Sequence, residues 1–346
     1  MKTYNVAVAG AMGLVGSTMV QMLEEYDFPV NKLKLLESRE LAGAPVSFKG
    51  EILYTEEGTP DSFDGMDIVL FGTHEAVSTA LAPEAAKRKA IAIDNSRAFR
   101  LDPETPLVVP EVNPEDLEWH KGIIANPNCT TTGAVVVFKP IYDLSRIKRI
   151  VASTYQAASG AAVRGQLELK KQCLDVAAGF PPPPPSIFHY QLAYNLIPFI
   201  DVFERDGYTR EEWKLLAESR KILHDSDIRI TCTSIRVPVL NCHSVSCNIE
   251  TEEKITPEQA RQALSRVPGV KLVDDIENLR FPQPIEVSGG DLVHVGRIRE
   301  DLSIENGLNL WLVSDNVRKG AAQNGIQIAQ VMVERGMVEE WRGRKS

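Results

Sequence analysis

At 346 residues the chain is too long for one simple core, and two domains are expected. With 43% hydrophobic and 25% charged residues it has the composition of a soluble globular protein. A net charge of -9 leaves no surplus of Lys and Arg to neutralise phosphates, which argues against a nucleic-acid or membrane-surface role, and no apolar run approaches the roughly 18 to 20 residues that span a bilayer.

The opening MKTYNVAVAGAMG has a charged start and an apolar stretch, but the stretch is short and broken by glycine. It reads as a strand entering a loop rather than as a secretion signal. Asn5 to Gly10 is the first strand, Leu14 to Tyr26 a helix, Lys34 to Glu37 a second strand and Asp67 to Gly72 a third. Ala76 to Lys89 is an alanine-rich helix and Ala90 to Asp94 a fourth strand. Apolar strands that show little polar alternation, separated by helices, predict a doubly wound parallel sheet covered on both faces.

Beyond Cys129 the texture changes. Val135 to Leu144 is helical, Arg149 to Ala157 is a strand, and Glu168 to Ala178 is a helix that ends at Gly179. The run Pro181 to Pro185 is a stiff polyproline II segment, read as a rigid connection on a domain rim with a proline-rich partner motif as the alternative. ITCTSIRVPVL and HSVSCNIETEE read as long strands of an antiparallel sheet with half-polar faces. Asn316 to Arg335 is a helix with an apolar stripe suited to packing on the first domain.

The stretch Gly10-Ala-Met12-Gly13-Leu14-Val15-Gly16 lies between the first strand and the first helix. Glycines there permit a tight turn and bring backbone N–H groups close to a pyrophosphate at the helix N-terminus, so the loop is a dinucleotide site. Its spacing is GxxGxxG, weaker alone than at the first strand–helix junction of an alternating pattern. At the end of the second strand Glu37 suits a ribose 2′-hydroxyl, while Ser38 and Arg39 follow and Arg39 suits a 2′-phosphate. The loop leans to NADP, and NAD remains possible.

The five cysteines are an odd number with no CxxC pair, which points to reduced thiols and a cytoplasmic setting. For Cys129, in ANPNCTTTG, the odd count disfavours a disulfide. No His or Cys at ligand spacing supports a metal, so no metal site is expected. A buried structural thiol and a nucleophile remain. Pro127 ends an extended segment and a helix starts at or just after the thiol, a position that favours thiolate and offers N–H groups to an oxyanion. Of the six histidines, His120 and His224 read as solvated, His189 and His294 as structural, and His74 as a possible neighbour of the cofactor. His243 follows Arg236 across RVPVLNCH, an arrangement suited to an anion clamp beside an acid–base group.

GAMGLVG, ANPNCTTTG, TYQAASGA, NLIPFID, RVPVLNCH and DNVRKGAAQNGIQIA occur in one order along nearly the whole chain, and together they closely resemble the aspartate-semialdehyde dehydrogenases. The resemblance implies a Rossmann-like cofactor domain, residues 1–128 and 317–346, and an α+β catalytic and dimerisation domain, residues 129–316, with a mixed or antiparallel sheet. It implies NADPH-dependent reductive dephosphorylation of aspartyl 4-phosphate to aspartate 4-semialdehyde and phosphate, serving lysine, threonine, methionine and diaminopimelate synthesis. Cys129 would form a thioester, Gln156 orient it, and His243 accept the thiol proton and later return it. Arg236 would hold the substrate carboxylate, Glu211 meet the amino group, and Lys214 and Arg100 meet phosphate, with Arg97 a near alternative to Arg100. Ser159, Gly160 and Asn316 would line the cofactor. A homodimer or homotetramer is implied.

Two stretches depart from the family pattern: Gly72-Thr-His-Glu75 after the third strand, and ESRELAG, where the family often has SSRSAG. The rivals are N-acetyl-γ-glutamyl-phosphate reductase, which usually has glycine where Asn128 stands, and a non-catalytic NADP-binding paralogue.

Overall fold

The computed structural model describes residues 2–343, and the chain divides into two compact units, 1–128 with 321–346, and 129–320. The chain returns to the first unit after Gly320, later than the Asn316 boundary read from the sequence.

The first unit is built on β1 (Tyr4–Ala9), β2 (Val30–Glu37), β5 (Glu56–Glu57), β6 (Ile68–Phe71), β7 (Ile91–Asp94) and β8 (Ile123–Ala125), all parallel, in the order β5-β2-β1-β6-β7-β8. A short antiparallel hairpin, β3 (Pro45–Phe48) and β4 (Glu51–Tyr54), stands beside it in sequence and was not expected. Because side chains alternate along a strand, Val6 and Val8 of β1 enter one apolar cluster and Ala7 and Ala9 another. The first cluster holds Met19 and Leu23 of α1 (Leu14–Glu25) and Ile326 and Met332 of α8 (Gln323–Glu334), with Trp341 of α9 (Met337–Gly343). The second holds Ala82 and Ala85 of α2 (Glu75–Lys87). Both faces are therefore covered, which is why the strands lack polar alternation.

The second unit has a six-stranded sheet in the order β10-β9-β11-β14-β13-β12. Its strands are β9 (Ile147–Gln156), β10 (Arg229–Arg236), β11 (His243–Thr251), β12 (Val270–Leu272), β13 (Val293–Glu300) and β14 (Gly307–Ser314). The sheet is mixed. β11 runs antiparallel to β9 and β14, as expected, but β10 is parallel to β9 and β12 parallel to β13. A parallel neighbour needs a long crossover, and the chain from β9 to β10 supplies one through α4 (Ala162–Ala177) and α5 (Arg210–Ile222). The apolar α3 (Cys129–Leu144) packs on the sheet together with α5 and α6 (Pro257–Leu264), and α7 (Pro284–Val287) is a single turn.

The run Pro181 to Pro185 has no regular secondary structure, and the chain just after it is held by α4. Glu168 of α4 accepts hydrogen bonds from the Ser186 and Ile187 N–H groups, both at 2.8 Å, and Gln172 accepts from Leu192 N–H at 2.8 Å. The helix expected from Asn316 instead begins with a π turn over Arg318–Ala322 before α8. No helix among the described residues is long and apolar enough to cross a membrane.

Candidate active site

In the first unit the glycine loop closes on itself. Gly10 has φ +77°, a conformation that favours glycine, and a Cβ there would lie 2.7 Å from the Gly72 carbonyl oxygen. A Cβ on Gly16 would fall on the Gly10 carbonyl. Gly13 is the N-cap of α1, with no side chain capping the helix and no acidic residue in its first turn. Such a turn leaves main-chain N–H groups and the positive end of the helix for an anion. The residues present fit a dinucleotide pyrophosphate, with Met12, Leu14 and Val15 around it.

The Glu37 carboxylate does not swing free. Its Oε1 accepts a 2.6 Å hydrogen bond from Met12 N–H and its Oε2 a 3.2 Å bond from Ser38 N–H. Ser38 and Arg39 are exposed, and Arg39 makes no ion pair among the described residues. His74 caps α2 only through its main chain and is exposed.

Arg100 is buried, with its guanidinium oriented by the Asn126 carbonyl at 2.9 Å and the Asn95 carbonyl at 2.8 Å. Arg97 lies at the surface in an ion pair with Glu75 at 2.6 Å. Burial and orientation favour Arg100 over Arg97 as an anion-binding group. His120 corrects the sequence reading: it is buried, its Nδ1 accepts from Gly122 N–H, and its ring centroid is 5.1 Å from that of Trp341.

The second unit gathers the other predicted residues. Cys129 opens α3. Burial pushes the Cys232 thiol up to about 12 and raises Cys242 and Cys247 still further, which disqualifies all three as nucleophiles at neutral pH. None of the five cysteines is in a disulfide.

Gln156 ends β9 and donates through Nε2 to Glu211 Oε1 at 3.2 Å and to Thr154 Oγ1 at 3.3 Å. Glu211 stands in the first turn of α5, whose start is fixed by a capping box between Thr209 and Glu212. Burial raises its carboxyl, but the Lys214 charge and hydrogen bond, Arg236 and Gln156 together outweigh this and hold it at about 2. Lys214 Nζ is 2.8 Å from Glu211 and 3.3 Å from Asp201, so its charge is shared by two carboxylates.

Arg236 ends β10 and His243 begins β11, and the main chain of one residue, Ala157, serves both through the two peptide groups that flank it. Arg236 Nη1 donates to the Ala157 carbonyl at 2.7 Å, and Ala157 N–H donates to His243 Nδ1 at 3.1 Å. Burial, reinforced by the Arg236 charge, lowers the imidazole to about 3, so it is neutral. With Nδ1 accepting, the ring proton of that neutral imidazole resides on Nε2, which is buried and has no hydrogen-bond partner among the described residues. Burial also lowers Arg236, against the opposing charges of Glu211 and Cys129.

Gly160 lies close against both side chains. A Cβ on it would lie 2.6 Å from Arg236 Nη1 and 3.4 Å from His243 Nε2. Asn316 Oδ1 accepts from Ser159 Oγ at 2.9 Å and from Cys242 N–H at 3.0 Å, which turns its Nδ2 outward as a donor. Cys242 has φ +73° and Ala162 φ +57°, both in the region that favours glycine. Strain of this kind collects where surrounding structure fixes functional groups. Sequence reasoning gave no role to Ala157, Asp315 or Gly320, because two act through main chain or absence of a side chain and Asp315 lies outside the matched catalytic positions. Among the described residues no group of three or more His, Cys, Asp or Glu could hold a metal ion.

Two family models match the chain: "Semialdehyde dehydrogenase, NAD binding domain" over residues 5–120 and "Semialdehyde dehydrogenase, dimerisation domain" over residues 138–319. The aspartate-semialdehyde dehydrogenase of Aquifex aeolicus is 48% identical over 338 residues, covering 97% of this chain and 99% of that one. That of Bacillus subtilis is 45% identical over 341 residues, covering 96% and 99%. The crystal structure of aspartate semialdehyde dehydrogenase II from Vibrio cholerae complexed with ASA matches with a TM-score of 0.94 at 41% identity, covering 96% of this chain and 99% of that one. A Candida albicans enzyme solved with NADP shares the fold, with a TM-score of 0.73 at 22% identity. The chain belongs to the aspartate-semialdehyde dehydrogenases, enzymes of amino-acid biosynthesis that reductively dephosphorylate aspartyl 4-phosphate to aspartate 4-semialdehyde with a nicotinamide cofactor.

Proposed function

We propose that Cys129 performs this reaction as a nucleophile, and the observation that carries the reading is the Arg236–Ala157–His243 linkage in the same unit as the thiol at the start of α3. The sulfur attacks the acyl carbon of aspartyl phosphate, the acyl–oxygen bond breaks, and the thiol proton leaves with inorganic phosphate. This forms a thioester, the acyl state that accepts hydride where a carboxylate does not. When bound, the nicotinamide cofactor supplies that hydride. His243 donates its Nε2 proton as a hydrogen bond to the oxygen that gains charge, and Gln156, held by Glu211, orients the acyl group. The carbon–sulfur bond then breaks, releasing the aldehyde and the thiolate, which takes up a proton.

Arg236 binds the substrate α-carboxylate, and Glu211, ionised because of its cationic neighbours, binds the amino group. Lys214 keeps Glu211 ionised and contributes positive charge for phosphate, with Arg100 the principal phosphate ligand. Ser159 orients Asn316 so that Nδ2 faces outward, a donor suited to the nicotinamide amide, and Gly160 leaves it room.

NADP is the preferred cofactor through Arg39 and Ser38. NAD is also accepted, because Glu37 is anchored where it can take a ribose 2′-hydroxyl. The partner is a second copy of the chain. Leu167 and Leu174, 58% and 69% exposed, lie with Val163 along one face of α4 and give it an apolar stripe on the part matched by the dimerisation model. A soluble cytoplasmic homodimer, or a tetramer built from it, follows.

The test is phosphate-dependent oxidation of aspartate semialdehyde by the purified protein, followed by NADP reduction. Cys129→Ser is expected to bind NADP while losing nearly all turnover. Substantial turnover by that variant would remove Cys129 from the nucleophile role.

A further inference from the structure

Asp315 has no part in the roles above, yet it is 1% exposed and accepts four hydrogen bonds. Its Oδ1 takes the Val317 and Arg318 N–H groups at 2.9 and 3.0 Å. Its Oδ2 takes Gly289 N–H at 2.8 Å and Asn241 Nδ2 at 2.7 Å. A buried carboxylate surrounded by donors in this way is a rigid fixture, since moving it leaves several polar groups unsatisfied. What it fixes is the start of the π turn over Arg318–Ala322, where Gly320 N–H reaches back to the Asp315 carbonyl at 2.9 Å. Single π turns inside helices occur often at functional sites.

The turn brings Gly320 against the nucleophile. A Cβ on Gly320 would lie 2.8 Å from Cys129 Cβ and 3.1 Å from both its Cα and its carbonyl oxygen. These are the root atoms of Cys129 rather than the end of a flexible side chain, so they cannot yield unless the cysteine moves. The helix behind gives little room, because a Cβ on Gly133, one turn along α3, would collide with Ser314 of β14.

We propose that Asp315 and Gly320 are positioning residues for Cys129: the carboxylate sets the π turn, and the turn presses a residue without a side chain against the root of the nucleophile, fixing where the sulfur sits. This rests on Cys129 being the nucleophile. Displacing a reacting atom by about 1 Å costs on the order of 100-fold in rate, whereas a residue with a merely structural role would alter stability and leave the sulfur's behaviour unchanged.

The experiment compares Gly320→Ala, Asp315→Asn and Asn241→Ala with the unaltered enzyme by kcat, KM, NADP affinity, and the rate of Cys129 alkylation by iodoacetamide against pH. Gly320→Ala is expected to lower kcat on the order of 100-fold and Asp315→Asn about tenfold, with KM for aspartate semialdehyde and NADP affinity within about threefold of the original. The alkylation profile is expected to shift in both. Asn241→Ala removes one donor at the half-buried end of the cluster and should lower kcat about threefold; it decides the matter if the other two fail to fold. Unaltered kcat and alkylation in the folded variants overturn the proposal, as does a fall in kcat with an unaltered alkylation profile. Turnover by Cys129→Ser overturns the nucleophile reading itself, a result separable from either.

Discussion

The neutral state of His243 has a consequence for stability that can be measured against pH. The folded imidazole is lowered to about 3 by burial and by Arg236, whereas in the unfolded chain it returns to about 6.5. The unfolded state therefore binds a proton that the folded state refuses, and stability present above about 6.5 is lost as pH falls towards the folded value. From pH 7 to pH 5 the loss from this one group comes to about 2 kcal/mol, and it requires only that the folded ring stay neutral at pH 5. Glu211, held at about 2, loses its stabilising contribution below this window and does not interfere. In His243→Asn the loss disappears. Urea unfolding at both pH values should show the midpoint of the original protein falling by about 0.6 M more than that of the variant, taking a slope of about 3 kcal/mol per M. The histidine Cε1 resonance missing in the variant should remain unshifted across the same range. Parallel midpoints, or a resonance titrating near pH 6.5, would refute a buried neutral imidazole with its proton on Nε2.

Glu37→Ser removes a carboxylate held beside the glycine loop and should favour adenosine 2′,5′-bisphosphate over ADP-ribose by about tenfold relative to the original protein, read by calorimetry; an unchanged ratio would place Glu37 outside the 2′ pocket. Leu167→Glu with Leu174→Glu puts two charges on the apolar stripe of α4 and should yield monomers by light scattering, whereas an unchanged mass would move the interface elsewhere. Ala162→Gly relieves a backbone at φ +57°, and with a strain of about 1–3 kcal/mol set against a glycine entropy cost of about 0.5–1 kcal/mol it should raise the melting temperature. A lower melting temperature would show that the alanine methyl contributes more than the strain costs.

The first unit was legible because its physics is local. Parallel strands buried on both faces must be apolar throughout, and Val6 to Ala9 satisfy this without reference to the rest of the chain. The direction of β10 was not legible. Its alternation of buried Ile230, Cys232, Ser234 and Arg236 with more exposed neighbours would be the same beside an antiparallel partner, and only the path through α4 and α5 decides. The π turn was hidden for a related reason. Arg318 to Ala322 has good helix formers around a glycine, and what widens the turn is Asp315, which acts from outside the helix. His120 misled because its polar neighbours suggested a wet turn, while its actual neighbour, Trp341, lies more than two hundred residues on in sequence.

The candidate catalytic residues were legible as side chains, and their coupling was not, because the coupling passes through main chain. The main chain of Ala157 takes the Arg236 guanidinium on its carbonyl and gives its N–H to His243. An alanine letter carries no trace of either bond. The consequence is chemical as well as geometric: the N–H on Nδ1 selects the tautomer, and the guanidinium held by the next peptide helps keep the ring neutral. A histidine that begins with its proton on Nε2 serves the reduction step as a donor to developing negative charge, while thiol deprotonation is left to the phosphate that departs. The same residue at the same place would be a base if the Gln156–Ala157 peptide were turned over, so the acid–base assignment rests on the orientation of that amide plane.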